Sequence, residues 1–235
     1  VVTGNEINEY FKVLLAAMAP LFPDLAQKTQ HIGHGMMRLP EGKMSSRTGK
    51  VVTFESLLQA VEKLVHEKIR ERNISDKEKA EILKTVAVGA LKYSILKQSI
   101  GGDIIYDVHK SVSFEGDSGP YLQYSYARAM SVLQKAKQEK VKPSFKKVSS
   151  PLPVLAKQLY RFPEIVERAS KEYQPHYIVI YLTELASSFN YYYSQNRIVD
   201  RDDEFSPYKV ALTEAFSIVM KNGLWLLGIQ APEKM

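Results

Sequence analysis

Gly42-Lys43-Met44-Ser45-Ser46-Arg47-Thr48-Gly49 sets two glycines around a lysine, two serines and an arginine, with no side chain suited to building a core. Glycine takes backbone angles that other residues avoid, so the stretch reads as a polar loop. Lys43 and Arg47 bring charge, and Ser45 and Ser46 bring hydroxyl donors, a set able to surround phosphate oxygens. Taken alone, a lysine in a Gly/Ser loop is more often a solvated surface group. The meaning of Lys43 therefore depends on its surroundings.

Upstream, Val1-Val2-Thr3 reads as the end of a buried strand stopping at Gly4. Asn5 to Met18 read as a helix, with Ile7, Tyr10, Phe11, Leu14 and Leu15 at three- and four-residue spacing and Pro20 and Pro23 ending it. Lys28 to Leu39 suit a short strand with a turn. Strand, helix and strand feeding a polar glycine loop is the plan of half an α/β nucleotide-binding domain, with too few strands to close a sheet.

Downstream the period becomes helical. Leu57, Leu58, Val61, Leu64, Val65 and Ile69 form one apolar stripe. Ser75-Asp76-Lys77-Glu78 spells a capping box before a stripe of Ile82, Leu83, Val86, Ala87, Ala90, Leu91 and Ile95. Residues 101–118 are irregular, and Gly119-Pro120 opens a further helix. Residues 141–153 read as a linker or loop. Helices are then expected over Leu152–Ala169, as one helix or two short ones meeting near Pro163, over Pro175–Ser194, and over Pro207–Asn222 with Gly223 as terminator. Trp225 is expected in the core. The fold class is thus mainly α, a remnant of an α/β Rossmann-like domain over 1–72 followed by an all-α helical bundle over 73–235.

The 235 residues are 45% hydrophobic and 25% charged, the balance of a globular protein. No apolar run approaches the ~18 residues of a membrane span. The absence of cysteine excludes disulfides and thiolate metal sites and fits a reducing cytoplasm. A start at Val1 without Met suggests a piece of something longer. The net charge of +6 is localised, because residues 131–172 hold ten Lys/Arg against four Asp/Glu. Such a basic region suits a polyanion, RNA above all, and equally a solvated helix face.

His31-Ile32-Gly33-His34 spells the string of the first signature of class I aminoacyl-tRNA synthetases. Only eight residues part it from Lys43, too few for the intervening half of that fold. These histidines are therefore not expected to be catalytic, and without nearby carboxylate or cysteine partners they are not expected to hold a metal.

The loop itself resembles the second class I signature, Lys-Met-Ser-Lys-Ser, in the Gly-Lys-Met-Ser-Ser-Arg-x-Gly form of arginyl-tRNA synthetases. Ser46 stands in place of the second lysine, with Arg47 just after it. Ser113-Phe114-Glu115-Gly116-Asp117-Ser118-Gly119-Pro120-Tyr121-Leu122-Gln123-Tyr124, continuing to Ala127-Arg128, resembles the opening of the central helix of that family's anticodon-binding domain. Phe189-Asn190-Tyr191-Tyr192-Tyr193 and Leu226-Leu227-Gly228-Ile229-Gln230-Ala231-Pro232-Glu233-Lys234-Met235 resemble its last two landmarks. The four blocks keep the family's order across nearly all of the chain.

The resemblance implies the C-terminal portion of an arginine–tRNA ligase, which joins arginine to its tRNA through an adenylate, uses ATP with Mg²⁺, and needs tRNA bound before activation. It implies catalytic roles for Lys43, Ser45 and Ser46 at the departing pyrophosphate. It implies ATP contacts from Gly4, Glu6, Met36, Met37, Lys43 and Arg47, and tRNA contacts from Tyr121, Tyr124, Arg128, Phe189, Tyr192, Tyr193 and Met235. Periodicity alone places Phe189 in the core, and packing alone explains Met36 and Met37 nearly as well. Three consecutive tyrosines cannot all face inward, which leaves at least one for RNA. The expected partners are arginine tRNA, ATP and arginine, the last in a pocket mostly outside this chain. The full-length enzyme is expected to be a cytoplasmic monomer, and these residues alone are expected to be inactive. A free-standing RNA-binding module or a helical protein-interaction domain are the competing readings.

Overall fold

The computed structural model describes residues 1–38, 53–69 and 75–235. The loop Gly42–Gly49, with Lys43, Ser45, Ser46 and Arg47, lies outside the described residues. The chain forms two compact units, residues 1–52 with 98–107 and residues 53–97 with 108–235.

In the first unit β1 (Val2–Gly4) pairs in parallel with β2 (Ile32–His34), Gly4 opposite His34. A single 3-10 turn (Asn5–Ile7) and α1 (Asn8–Met18) make the crossover, followed by α2 (Pro23–Lys28), which has Pro in its first turn where the missing N–H costs nothing. β3 (Met37–Arg38) pairs in parallel with β4 (Ile104–Ile105). Residues 98–107 reach this unit through a close backbone approach. A Cβ on Gly35 would collide with the Gly102 carbonyl, so glycine is required there. Arg38 and Asp103 pair at 2.5 Å, and Asp103 Oδ1 also accepts the Met36 N–H at 3.0 Å.

Parallel strands are stable when both faces are covered. Here α1 covers little: Phe11, Leu14 and Leu15 are half-buried, while Ile7, Tyr10 and Val13 are exposed. The expected stripe exists but does not make a closed core.

The second unit is the helical bundle. α3 (Phe54–Ile69) buries Leu57, Val61 and Val65 and packs on α4 (Asp76–Leu96) and on the short α5 (Val108–Ser111). Residues 53–69 therefore pack with the helices that follow, although the sequence grouped them with the first unit. The Ser75 capping box forms as expected, Glu78 N–H to Ser75 Oγ at 3.3 Å and Ser75 N–H to Glu78 Oε2 at 3.2 Å.

α6 (Gly119–Gln138) crosses α4 closely, because a Cβ on Gly119 would strike the Gly89 carbonyl and a Cβ on Gly89 would lie 2.7 Å from the Gln123 amide. Gln123 is fully buried at the crossing, its Nε2 donating to Thr85 O at 3.2 Å and to Gln230 O at 2.8 Å. α7 (Val154–Tyr160) and α8 (Phe162–Glu172) meet near Pro163, and α9 (His176–Gln195) and α10 (Ser206–Leu226) complete the bundle. Its core stacks Phe189 on Phe216, centroids 3.9 Å apart at 10° between planes, among Leu122, Leu182, Leu185 and Met220.

Two expectations at the end of the chain are corrected. Gly223 does not terminate α10; it lies inside the helix, where a Cβ would meet Leu182 at 2.6 Å. The stop comes at Gly228, φ 66°, in the left-handed region that suits glycine. Trp225 is 76% exposed rather than in the core, because Leu224 and Leu227 take the inward positions of that turn.

Tyr93 ties the crossing to the start of α6. Its hydroxyl donates to Asp117 Oδ1 at 2.5 Å and lies 2.8 Å from Thr183 Oγ1, while Lys97 pairs with Asp117 at 2.8 Å. Burial and the bond to Asp117 push the Tyr93 phenol up. Partial burial works to raise the Asp117 carboxyl, but hydrogen bonds from Lys97 and Tyr93 outweigh it and hold the group below its usual value of 3.8.

Three outcomes are expected. Gly119→Ala forces a methyl group against the Gly89 carbonyl and lowers the urea unfolding stability of the bundle by about 1–3 kcal/mol. A carboxyl held low in the folded state stabilises above its unfolded pKa and stops doing so as pH falls through its folded value. The advantage of Asp117 over Asp117→Asn, read as the difference in melting temperature, should therefore be full at pH 7 and vanish in the acid range below about 4. The sole tryptophan should emit as a solvated indole and be quenched readily by iodide.

Candidate nucleic-acid interface

Tyr121, Tyr124, Ser125 and Arg128 recur at three- and four-residue intervals on α6 and so share one face. That face meets the C-terminal half of α9. Arg128 is the meeting point: its Nη1 donates to Asn190 Oδ1 and its Nη2 to Tyr124 OH at 3.2 Å. The guanidinium carbon lies 4.7 Å from the Tyr124 ring centroid and 5.1 Å from that of Tyr193, both within cation–π range. Asn190 Nδ2 donates in turn to Ser125 Oγ at 2.8 Å and Tyr121 OH at 3.1 Å.

A cleft of about 590 Å³ opens beside this network, bounded by Tyr124, Arg128, Lys135, Tyr193, Lys234 and Met235. Three cationic side chains and no Asp or Glu side chain line it, among the described residues. A larger groove of about 910 Å³ runs between α4, the end of α10 and the tail. Glu78, Glu81 and Glu233 wall it alongside Lys221 and Lys234, with Trp225 at its edge. Its mixed sign suits a polyanion poorly, so the smaller cleft is the candidate interface.

The structure brings together four of the residues singled out from sequence, namely Tyr124, Arg128, Tyr193 and Met235, with Tyr121 behind them. It does not bring Phe189. That ring is fully buried against Phe216, and no base can reach it, so its place in the RNA-facing set is corrected. Tyr192 also turns inward, half-buried against the core, and burial pushes its phenol up to about 12. Tyr191 and Tyr193 are the exposed members of the run, at 71% and 41%.

Asn190 and Ser125 were missed. A polar residue inside the aromatic run at 189–193, one position from a core phenylalanine, is the signal that could have found Asn190. The basic segment is partly neutralised where it lies: Lys147 pairs with Glu204, Arg168 with Glu172 and Lys171 with Glu167. Of its cations Lys135 lines the cleft, whereas Lys137, Lys140 and Lys142 line a separate pocket of about 360 Å³.

In the first unit, Gly4 and His34 end their strands side by side, at the carboxyl edge where parallel sheets bind ligands. The Glu6 carboxylate folds over Gly4 so closely that a Cβ on Gly4 would collide with it. Met36 is 49% exposed, and Met37 is half-buried in β3. His31 instead packs flat on Phe11, centroids 3.9 Å apart, and lies 2.8 Å from Thr3 Oγ1, tying α1 to the strand pair. His34 Nδ1 lies 2.8 Å from Gly35 O.

Two family models match the chain in succession: tRNA synthetases class I (R), catalytic domain, over residues 2–108, and the DALR anticodon binding domain over residues 122–235. The chain belongs to the arginyl-tRNA synthetase family. It is 38% identical over 236 residues to an arginine–tRNA ligase of Clostridium acetobutylicum and 36% identical over 235 residues to one of Lactiplantibacillus plantarum. In each case all of this chain and 42% of the relative's length is covered. The arginyl-tRNA synthetase of Thermus thermophilus superposes with a TM-score of 0.85 at 30% identity, over 100% of this chain and 40% of its own. The chain thus spans about two-fifths of the length of the relatives it matches. Among its described residues no helix is long and apolar enough to cross a membrane.

The two aromatic positions should separate on unfolding. Phe189→Ala should cost about 3–5 kcal/mol, a large buried ring removed. Tyr193→Ala, at a half-open position, should cost under about 1 kcal/mol in the same urea titration.

Proposed function

We propose that this chain serves an arginine–tRNA ligase, with the helical bundle gripping the anticodon arm of arginine tRNA and the first unit holding part of the ATP site. The observation that carries the reading is the cleft at Arg128, where a guanidinium lies between two tyrosine rings with Lys135 and Lys234 beside it. Unpaired bases stack on such rings, and lysines at the rim meet phosphates. Tyr121, Tyr124, Arg128, Tyr193 and Met235 form the proposed contact set, without Phe189 or the inward Tyr192.

The full reaction would be attack of the arginine carboxylate on the α-phosphate of ATP, giving arginyl-adenylate and pyrophosphate. A ribose hydroxyl at the end of the tRNA would then take the arginyl group and release AMP. Negative charge grows on the departing pyrophosphate, and Lys43 with the Ser45 and Ser46 hydroxyls is the set assigned to it, Arg47 assisting at ATP. A loop that closes only on the reacting complex would favour the transition state over bound substrate. Gly4 and Glu6, at the carboxyl edge of β1, are assigned to the ATP ribose, and Met36 and Met37 to the adenine. Mg²⁺ arrives with ATP as part of the substrate. The working protein is taken to be a cytoplasmic monomer. The division proposed is the one expected from sequence, a catalytic part over residues 1–72 and an anticodon-binding part over 73–235, although residues 53–69 pack with the helices that follow.

The test is titration of the 235-residue chain with an arginine tRNA transcript across a salt series. Tyr193→Ala should weaken binding about tenfold to a hundredfold, the loss of one stacked base, with unfolding little changed. Equal binding by the variant would remove Tyr193 from the interface. The chain alone should give no tRNA-dependent pyrophosphate exchange with arginine and ATP, and robust turnover would overturn the assignment of arginine's pocket to residues outside it.

A further inference from the structure

Asn190 stands behind the cleft, bonded to Arg128, in a role that none of the foregoing covers. Its amide is fixed from behind: Nδ2 donates to Ser125 Oγ at 2.8 Å and to Tyr121 OH at 3.1 Å. Ser125 is fully buried, and its hydroxyl donates to the Tyr121 carbonyl at 2.8 Å, which anchors it to the α6 backbone. The orientation of the amide follows from chemistry, since a guanidinium offers only donors and the oxygen must face it. In front, that oxygen accepts from Arg128 Nη1, while Tyr124 OH takes Nη2 and the Tyr124 and Tyr193 rings lie near the guanidinium. An arginine on a helix surface is ordinarily a mobile charge. Here two of its five donors are tied, which leaves the others with a set direction.

We infer that Asn190 is a positioning residue, which aims the Arg128 guanidinium into the cleft so that RNA meets directed donors rather than a diffuse charge. This rests on the reading of the cleft as the anticodon site. Direction is what separates a geometric match to one RNA group from general attraction to phosphate, so Asn190 bears on discrimination between RNAs more than on attraction.

The experiment compares the affinity of the chain for an arginine tRNA transcript with that for the same transcript carrying replaced anticodon bases, each across a salt series. Asn190→Leu keeps the charge of Arg128 and releases its direction. The ratio of the two affinities should fall about tenfold, the loss of one charge-assisted hydrogen bond's worth of aim. The slope of log affinity against log salt should stay within about one ion of the parent chain. Arg128→Lys should lower the ratio in the same way, and the double variant should fall no further than either single one. Should Asn190→Leu not fold, Ser125→Ala removes one support of the amide and should lower the ratio in part.

A purely structural role for Asn190 would instead weaken both transcripts equally and add independently to Arg128→Lys, and that result overturns the inference. If Arg128→Lys lowers the ratio while Asn190→Leu and Ser125→Ala leave it unchanged, the inference falls and the cleft reading stands. If Arg128→Lys and Tyr193→Ala both leave binding unchanged, the cleft reading itself fails.

Discussion

The bundle depends on the close approach of α4 and α6. Where Gly89 faces Gly119 the two backbones lie too near for any side chain between them, and the buried Gln123 fills the adjoining space. A buried amide is costly unless bonded, and Gln123 spends its two donors on Thr85 of one helix and Gln230 of the tail. Three chain segments are thus joined at one residue. Lys92 reinforces the same seam by donating to the Gly228 carbonyl, and Thr85 Oγ1 by donating to Gln230 Oε1 at 3.2 Å. The tail that carries Lys234 and Met235 to the cleft is anchored here, with Ile229 buried in the core.

α6 serves two environments at once. Leu122, Tyr126 and Ala129 face the core, and Tyr124 and Arg128 face the cleft with Tyr121 behind them. α9 is divided likewise, Phe189 inward and Asn190 and Tyr193 toward α6. A helix with one face locked in the core holds its opposite face to a fixed phase, since successive residues differ by a constant rotation. The positions of the cleft side chains are therefore set by the packing of residues that never touch the ligand.

Much of this was legible in the residues. The capping box at Ser75, the Gly119-Pro120 start and the break near Pro163 are local signals, decided by backbone chemistry within a few residues. The α4 stripe was legible because burial repeats with the helical period. Phe189 shows where a motif and a period disagree: family likeness placed it among the RNA contacts, periodicity placed it inside, and the structure follows the period. Trp225 and Gly223 were misread because both depend on where α10 stops. That is decided by the long-range contacts of Gly228 and Gln230 rather than by the local sequence. Asn190 carries a local signal as the polar residue of an aromatic run, but its role was not legible, since its partners lie more than 60 residues away on another helix. The standing of Lys43 still rests on sequence likeness, its loop lying outside the described residues.

The tethering of Arg128 has a kinetic side. The rotamer freedom of an arginine is usually surrendered when a ligand binds, and that loss weakens the complex. With Asn190, Tyr124 and Tyr193 already in place, the loss is incurred when the protein folds. A ligand of the proposed cleft would then find the Arg128 guanidinium already set, which leaves encounter to diffusion and the basic rim. Differences among ligands should accordingly be written in how long they stay, not in how fast they arrive.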